Sequence, residues 1–159
     1  MLEIKNITKE YPAGNGKVNA LLSRVSGMPY GGCLLSTLRL EQIILREAPD
    51  VVHLQCINGN FVNIYRLIRW LKERKIKTVV SLHAEFMYTA NCGHAFDCDQ
   101  WKSGCKQCPH RKKATKSILF DRTGFCWNRM KAAFDGFEKN CVIVPVSPWT
   151  QMRAKESEI

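Results

Sequence analysis

The sequence predicts an α/β fold built on a parallel sheet, and three observations carry that reading. Short runs rich in Val, Ile and Leu (50–54, 78–82 and 142–146) are of the kind a sheet buries on both faces. Segments of helical periodicity alternate with them, the order expected of strand–helix–strand units. No internal repeat competes with a single-core arrangement, and 159 residues suit one such core. Hydrophobic residues make up 45% and charged residues 24%, ordinary for a soluble globular chain.

The elements follow in order. Leu2, Ile4 and Ile7 suggest a short edge strand, and Tyr11 to Gly16 has turn chemistry. Gly27 to Gly32 reads as a loop. A helix is expected over 34–47, with Leu35, Leu38, Ile43 and Ile44 as its apolar stripe and Pro49 stopping it. After the strand 50–54 comes a loop, Ile57 to Asn60, with Asn60 as helix N-cap. A helix over 61–74 places Phe61, Ile64, Tyr65, Ile68 and Leu71 on one face and arginines and lysines on the other. Beyond the strand 78–82, residues 83–116 show no clear periodicity. Such a stretch inside a compact domain is usually functional or separately braced. A helix over 121–137, the strand 142–146 and a last helix opened by Ser147-Pro148 complete the chain.

The braced reading of 83–116 rests on its cysteines. Cys92, Cys98, Cys105 and Cys108 fall close together, the last two as C-x-x-C. Four thiolates complete the tetrahedral shell of a structural zinc. Disulfides and free thiols stay open as alternatives, and His94 or His110 could replace one thiolate. No apolar run is long enough to span a bilayer and the N-terminus shows no secretory h-region. A cytoplasmic location is therefore expected, which keeps thiols reduced and favours metal. Cys33, Cys56, Cys126 and Cys141 lie in or beside apolar segments and read as core residues.

The formal net charge is +10. Basic residues gather at Arg66, Arg69, Lys72, Arg74, Lys75 and Lys77, and again at Lys102, Lys106, Arg111, Lys112, Lys113 and Lys116. Nucleic acid, an anionic membrane surface, a phosphorylated substrate or a plainly solvated face would each account for them. In parallel sheets ligands sit beyond the carboxyl ends of the strands. His83 and Ser147 directly follow two of the strands, and the loop carrying Asn58 follows the other. His53, inside its strand, is expected to bond a neighbouring carbonyl. Ser147 is most simply a helix N-cap, with a bound phosphate as the alternative.

Several of these residues together resemble the amino-terminal domain of family 4 glycosyltransferases: Pro49-Asp-Val-Val-His-Leu54, Ile57-Asn-Gly, Leu67-Ile-Arg-Trp-Leu-Lys and Val80-Ser-Leu-His83. A bacterial subgroup that builds surface polysaccharide has a pattern like Leu-His-Asp, Phe-Thr-Gly, Cys, Cys, Lys-Trp, Gly-Cys and Cys-Pro. Here it stands as Leu82-His83-Ala84-Glu85, Tyr88-Thr-Ala-Asn-Cys92, Cys98, Gln100-Trp101-Lys102, Gly104-Cys105 and Cys108-Pro109. Ser117-Ile-Leu-Phe-Asp121, Trp127, Lys131 and Val144-Pro-Val-Ser147-Pro-Trp149 also match, so the resemblance covers about 22–157.

The resemblance implies residues 28–159 as part of a Rossmann-like domain, the amino-terminal half of a GT-B fold, with a cysteine-rich insertion at 83–116. It implies transfer of a sugar from a nucleotide-sugar donor to a saccharide or lipid-linked acceptor, with retention and without a catalytic metal. His83 would be the catalytic side chain, and Glu85, Asn58 and Ser147 would bind substrate. The basic helix 66–77 would suit peripheral contact with an anionic inner-membrane face or a lipid pyrophosphate. The sequence departs from the family in three ways. Ala84 stands where the family has Asp, leaving Glu85 as its replacement. The family's first strand and glycine loop are missing before Met28. The donor-binding domain is absent, so this chain alone is expected to be inactive. Residues 1–27 are atypical. Residues 1–21 faintly resemble the opening of ATP-binding-cassette ATPases but lack a phosphate loop; a fused or misjoined start and coincidence both remain open. The rival function is a small zinc-dependent nucleic-acid-binding module. Few aromatics interleave the basic stretches, which weighs against it and against any specific nucleic-acid partner.

Overall fold

A computed structural model describes residues 13–159. The edge strand expected at Leu2–Ile7 and most of the ATPase-like stretch lie outside the described residues. The fold is α/β. Three parallel strands, β1 (Val52–Leu54), β2 (Thr78–Leu82) and β3 (Cys141–Pro145), lie in the order β1-β2-β3. Helices α1 (Ala13–Ser26) and α2 (Leu34–Glu47) precede β1. Helix α3 (Ile64–Glu73) joins β1 to β2, and α5 (Thr123–Phe134) precedes β3. A short α4 (Phe86–Thr89) follows β2, and α6 (Pro148–Ala154) follows β3.

Helix α1 replaces the turn expected at Ala13–Gly16. Its later residues, including Ala20, Leu21 and Leu22, are good helix formers, and its end is tied to the rest of the fold where the Ile118 N–H donates to the Arg24 carbonyl at 2.9 Å. Gly27, at φ +70°, ends it in the left-handed conformation that a Cβ disfavours.

Helix α2 has the bounds its periodicity predicts, but of the expected stripe only Ile44 is fully buried. Thr37, Glu41 and Ile44 point inward, while Leu35 is 74% exposed and Leu38 is also exposed. Polar contacts to α3 set this orientation. The Thr37 hydroxyl accepts the Asn63 N–H at 2.8 Å, and the Glu41 carboxylate receives Arg66 Nε and Nη2 at 2.7 and 2.8 Å. A bidentate pair of this kind fixes geometry more tightly than an apolar stripe does.

Helix α3 starts later than Asn60 implies. Asn63 is the N-cap, accepting the Arg66 N–H and donating to the Gly31 carbonyl, while Asn60 sits in a left-handed turn at φ +55°. Ile64, Tyr65, Ile68 and Leu71 are buried as the stripe predicts, joined by Leu67 and Trp70.

Strand β2 is buried on one face only. Thr78, Val80 and Leu82 of β2 point into the core, with Val79 and Ser81 on the other side. The register aligns His53 and Val142 with Val79, and Val144 with Ser81. Val142 and Val144 are exposed. Ile143, on the opposite face, is exposed as well, so the apolar run 142–146 is an edge strand with no buried residue in 141–145, not the doubly buried strand its composition suggests. An apolar run specifies a strand but not what covers it.

The cysteine-rich stretch is no satellite. Phe86, Tyr88, Ala95, Trp101 and Cys105 belong to the same core cluster as Leu67, Val80, Leu82 and Met130. A 3-10 turn at Gln100–Lys102 and a wide helical turn at Arg111–Thr115 supply its local structure. Gly124, in the first turn of α5, lets Cys105 approach: a Cβ there would stand 2.5 Å from the Cys105 carbonyl oxygen. Gly124→Ala is therefore expected to lower stability by about 1–3 kcal/mol through overpacking. A urea-unfolding midpoint unchanged from wild type would refute this contact.

Candidate functional site

The carboxyl ends of the three parallel strands share one edge of the sheet, and a polar group has formed there. His53 Nε2 lies 2.8 Å from Ser81 Oγ across the β1–β2 pair, and Gln55 Nε2 lies 3.2 Å from His53 Nδ1. With Gln55 donating to Nδ1, His53 Nε2 carries the proton and donates to Ser81. The ring is exposed on the open face rather than bonded to a carbonyl. His83 follows β2 directly and is exposed, and Asn58 is exposed on the loop after β1. Because Leu82 pairs with Pro145, His83 sits beside the turn leading to Ser147. The Ser147 hydroxyl caps α6, accepting the Thr150 N–H at 3.1 Å. His83, Asn58 and Ser147 thus occupy the strand-end edge, with His53, Ser81 and Gln55 beside them. Ser81 and Gln55 escape a motif reading. The signal for Ser81 is parity, a polar residue two positions from a buried threonine's neighbour on the strand face opposite Val80 and Leu82.

Glu85 is placed differently. It is 1% exposed, and both carboxylate oxygens are engaged within the chain. Oε1 receives Arg153 Nε at 2.6 Å and the Tyr88 hydroxyl at 3.1 Å; Oε2 receives the Ala95 N–H and His94 Nδ1, each at 2.6 Å. Burial alone would raise this carboxyl, but the Ala95 N–H, Arg153 and His94 together hold it below the usual carboxylate range. The Arg153 guanidinium lies over the Trp101 and Trp149 rings, at 4.7 and 5.3 Å from their centroids. Glu85 therefore fastens the loop after β2 to α6 and does not face the strand-end edge.

Cys92, Cys98, Cys105 and Cys108 are free thiols, Cys92 and Cys105 buried and Cys98 and Cys108 half-buried. Burial, then the thiols of Cys108, Cys105 and Cys98, push the Cys92 thiol up to about 12. Burial, then Cys108 and Cys98, push Cys105 up to about 12 as well. The histidines of the loop turn elsewhere: His94 Nδ1 to Glu85, and His110 Nε2 to Asp97 at 3.0 Å. As the side chains stand, no group of three His, Cys, Asp or Glu among the described residues is set to hold a metal ion.

Apart from the strand-end edge, a cavity of about 470 Å³ lies between β3, α5 and α6, lined by Leu82, Met87, Phe134, Phe137, Ile143 and Gln151 among others. None of His83, Asn58, Glu85 or Ser147 lines it. Among the described residues no helix is long and apolar enough to cross a membrane.

A parallel α/β sheet with polar residues at its strand ends does not by itself define a function. Over 76 residues, 44% of this chain, the sequence is 29% identical to the protein described as "Putative colanic acid biosynthesis glycosyl transferase WcaC" of Escherichia coli (strain K12). The matched stretch spans 19% of that protein's length. No family model matches the chain, and no solved structure matches it. The similarity is to a glycosyltransferase, and it is partial on both sides.

Proposed function

We propose that this chain carries the acceptor-side region of a GT-B glycosyltransferase of the family 4 type. It would act in transfer of a sugar from a nucleotide-sugar donor to a saccharide or lipid-linked acceptor during surface-polysaccharide synthesis. The observation that supports this best is the strand-end edge itself: exposed His83, Asn58 and the His53–Ser81–Gln55 group, in a chain similar to a glycosyl transferase over part of its length. Such an edge suits a sugar. Imidazole and amide side chains give the paired donors and acceptors that vicinal hydroxyls need, and His83 has a ring free to hold an acceptor hydroxyl and take its proton. The basic residues of α3 and the turn after it, Arg69, Arg74, Lys75 and Lys77, would add an electrostatic attraction to anionic lipid or pyrophosphate, whereas Arg66 is held by Glu41. Donor contacts would come chiefly from a second domain, so donor binding to this chain alone is expected to be millimolar or weaker, about 4 kcal/mol or less.

The edge can be tested in the chain as it is. With 15N-labelled histidine, titration with short saccharides or a lipid-pyrophosphate-linked saccharide in detergent should shift the His83 and His53 ring resonances. The His94 and His110 rings, held by carboxylates, should stay in place. Shifts confined to His94 and His110, or none at saturating acceptor, would remove the strand-end edge as the acceptor site.

A further inference from the structure

We propose that the apolar stripe of α1 and the loop Ile118-Leu119-Phe120 form one surface that inserts shallowly into an anionic lipid bilayer. The inference stands apart from the glycosyltransferase reading, since a bilayer takes this surface whether or not the strand-end edge takes a sugar. It rests first on an inverted pattern. Val18, Leu21, Leu22 and Val25 recur at three- and four-residue spacing, which gives a helix one apolar face. That face is turned to solvent instead of the core: the four residues are 58%, 59%, 58% and 37% exposed. The loop before α5 does the same, with Ile118, Leu119 and Phe120 at 53%, 58% and 52%. Consecutive large apolar side chains in water cost solubility, and a patch of them marks a surface kept for binding.

Helix and loop adjoin. The Ile118 N–H donates to the Arg24 carbonyl in the last turn of α1 at 2.9 Å. At Gly27, just past that helix, a Cβ would stand 2.5 Å from the Phe120 carbonyl oxygen, so the loop packs directly on the helix end. The loop is also fixed in shape. The Ser117 hydroxyl donates to the Phe120 carbonyl at 2.5 Å, and Arg111 Nη1 donates to the Leu119 carbonyl at 3.2 Å. Backbone groups that leave water must find partners inside the chain, and the Ile118 N–H and the Leu119 and Phe120 carbonyls already have them. What remains to be covered is three apolar side chains.

Charge selects the partner. Arg24, Lys112, Lys113 and Lys116 are exposed on the same two segments, and the Arg122 guanidinium lies 5.6 Å from the Phe120 ring centroid. The nearest acid, Asp121, turns both oxygens inward, to the Cys108 N–H and to the Thr123 N–H and hydroxyl. Apolar side chains among Lys and Arg form the pattern of a surface that lies in the interface of an anionic membrane, the cations reaching the headgroups. A second copy of the chain suits it poorly, because a two-fold contact between identical patches brings like charges together. The basic residues of α3 offer attraction only, since the apolar residues of that helix are buried.

The test uses the full chain and vesicles that carry no saccharide, so its outcome is independent of the acceptor site. The protein should float with vesicles of phosphatidylglycerol and phosphatidylcholine in equal parts, and far less with phosphatidylcholine alone. Added salt should weaken the binding without abolishing it, because only the charged share is screened. Leu119→Ser and Leu21→Ser should each lower the partition coefficient about tenfold, the effect of withdrawing one leucine side chain from an apolar medium. Their urea midpoints should match wild type, since both positions are exposed. Val142→Thr, at an exposed position on β3, should bind as wild type does. In Phe120→Trp, acyl chains carrying bromine should quench the added indole fluorescence. No binding to the anionic vesicles at low salt, binding that salt abolishes and the two serine variants leave unchanged, or an indole at 120 that the brominated chains do not quench would overturn the proposal. So would a dimer that Leu119→Ser dissociates in a protein that binds no vesicles, which would give the surface to a second copy.

Discussion

Glu85→Ala is expected to lower the stability of the fold by about 3–5 kcal/mol, the usual effect of removing one partner from a buried ion pair. The substitution deletes four internal hydrogen bonds at once and leaves the Arg153 guanidinium, already with one buried nitrogen lacking a partner, between Trp101 and Trp149 with no counter-charge. It also frees the Ala95 N–H and the Tyr88 hydroxyl inside the core. The pH dependence has a definite sign. The folded carboxyl titrates below its unfolded value of about 4.3, so its contribution is fully present above that value and is lost as pH falls through the lowered folded value. Wild type should therefore lose urea resistance between neutral pH and the acid range more steeply than Glu85→Gln, which keeps the shape but not the charge. Parallel pH profiles for the two proteins, or a Glu85→Ala midpoint within experimental error of wild type, would show that the four contacts carry no stability.

The same residue shows where sequence reading reaches and where it stops. The helical bounds of α2 and the limits of β2 were legible because periodicity and an apolar run each name an element by itself. So was the Ser147 cap with Pro148 behind it, a purely local device. What could not be read depends on partners distant in the chain. The inward face of α2 is chosen by Arg66 and Asn63, both in or beside α3, and no property of 34–47 alone reveals that. The open face of β3 reflects what does not pack on it. The resemblance offers Glu85 as replacement for the family's Asp, and no motif reveals that its partner Arg153 lies 68 residues away. His53 pairs with Ser81 only because β1 and β2 are parallel and in this register. The cysteines are the converse case: their spacing was legible, yet among the described residues no three of them are gathered with the geometry of a metal shell.

His83→Ala should lower turnover about 10²–10⁴-fold in an active enzyme formed by joining this chain to a family 4 donor-binding domain. That range is what a positioned acid or base contributes, and His83 is the exposed imidazole nearest the start of the β2–α4 loop. Its exposure separates chemistry from folding, since a surface substitution of this kind shifts stability by no more than about 0.5 kcal/mol. The loss should fall on kcat rather than on donor KM, because in this reading His83 meets the acceptor. It should also abolish any limb of the pH–rate profile that reports the imidazole. His53→Ala provides the contrast. That ring is already held between Ser81 and Gln55 and acts through them, so its loss should alter acceptor KM with a smaller effect on kcat. Equal turnover with alanine at 83 would remove His83 from the chemistry. If His53→Ala then produced the larger loss in kcat, the reacting hydroxyl would belong at the His53–Ser81 pair on the open face of the sheet.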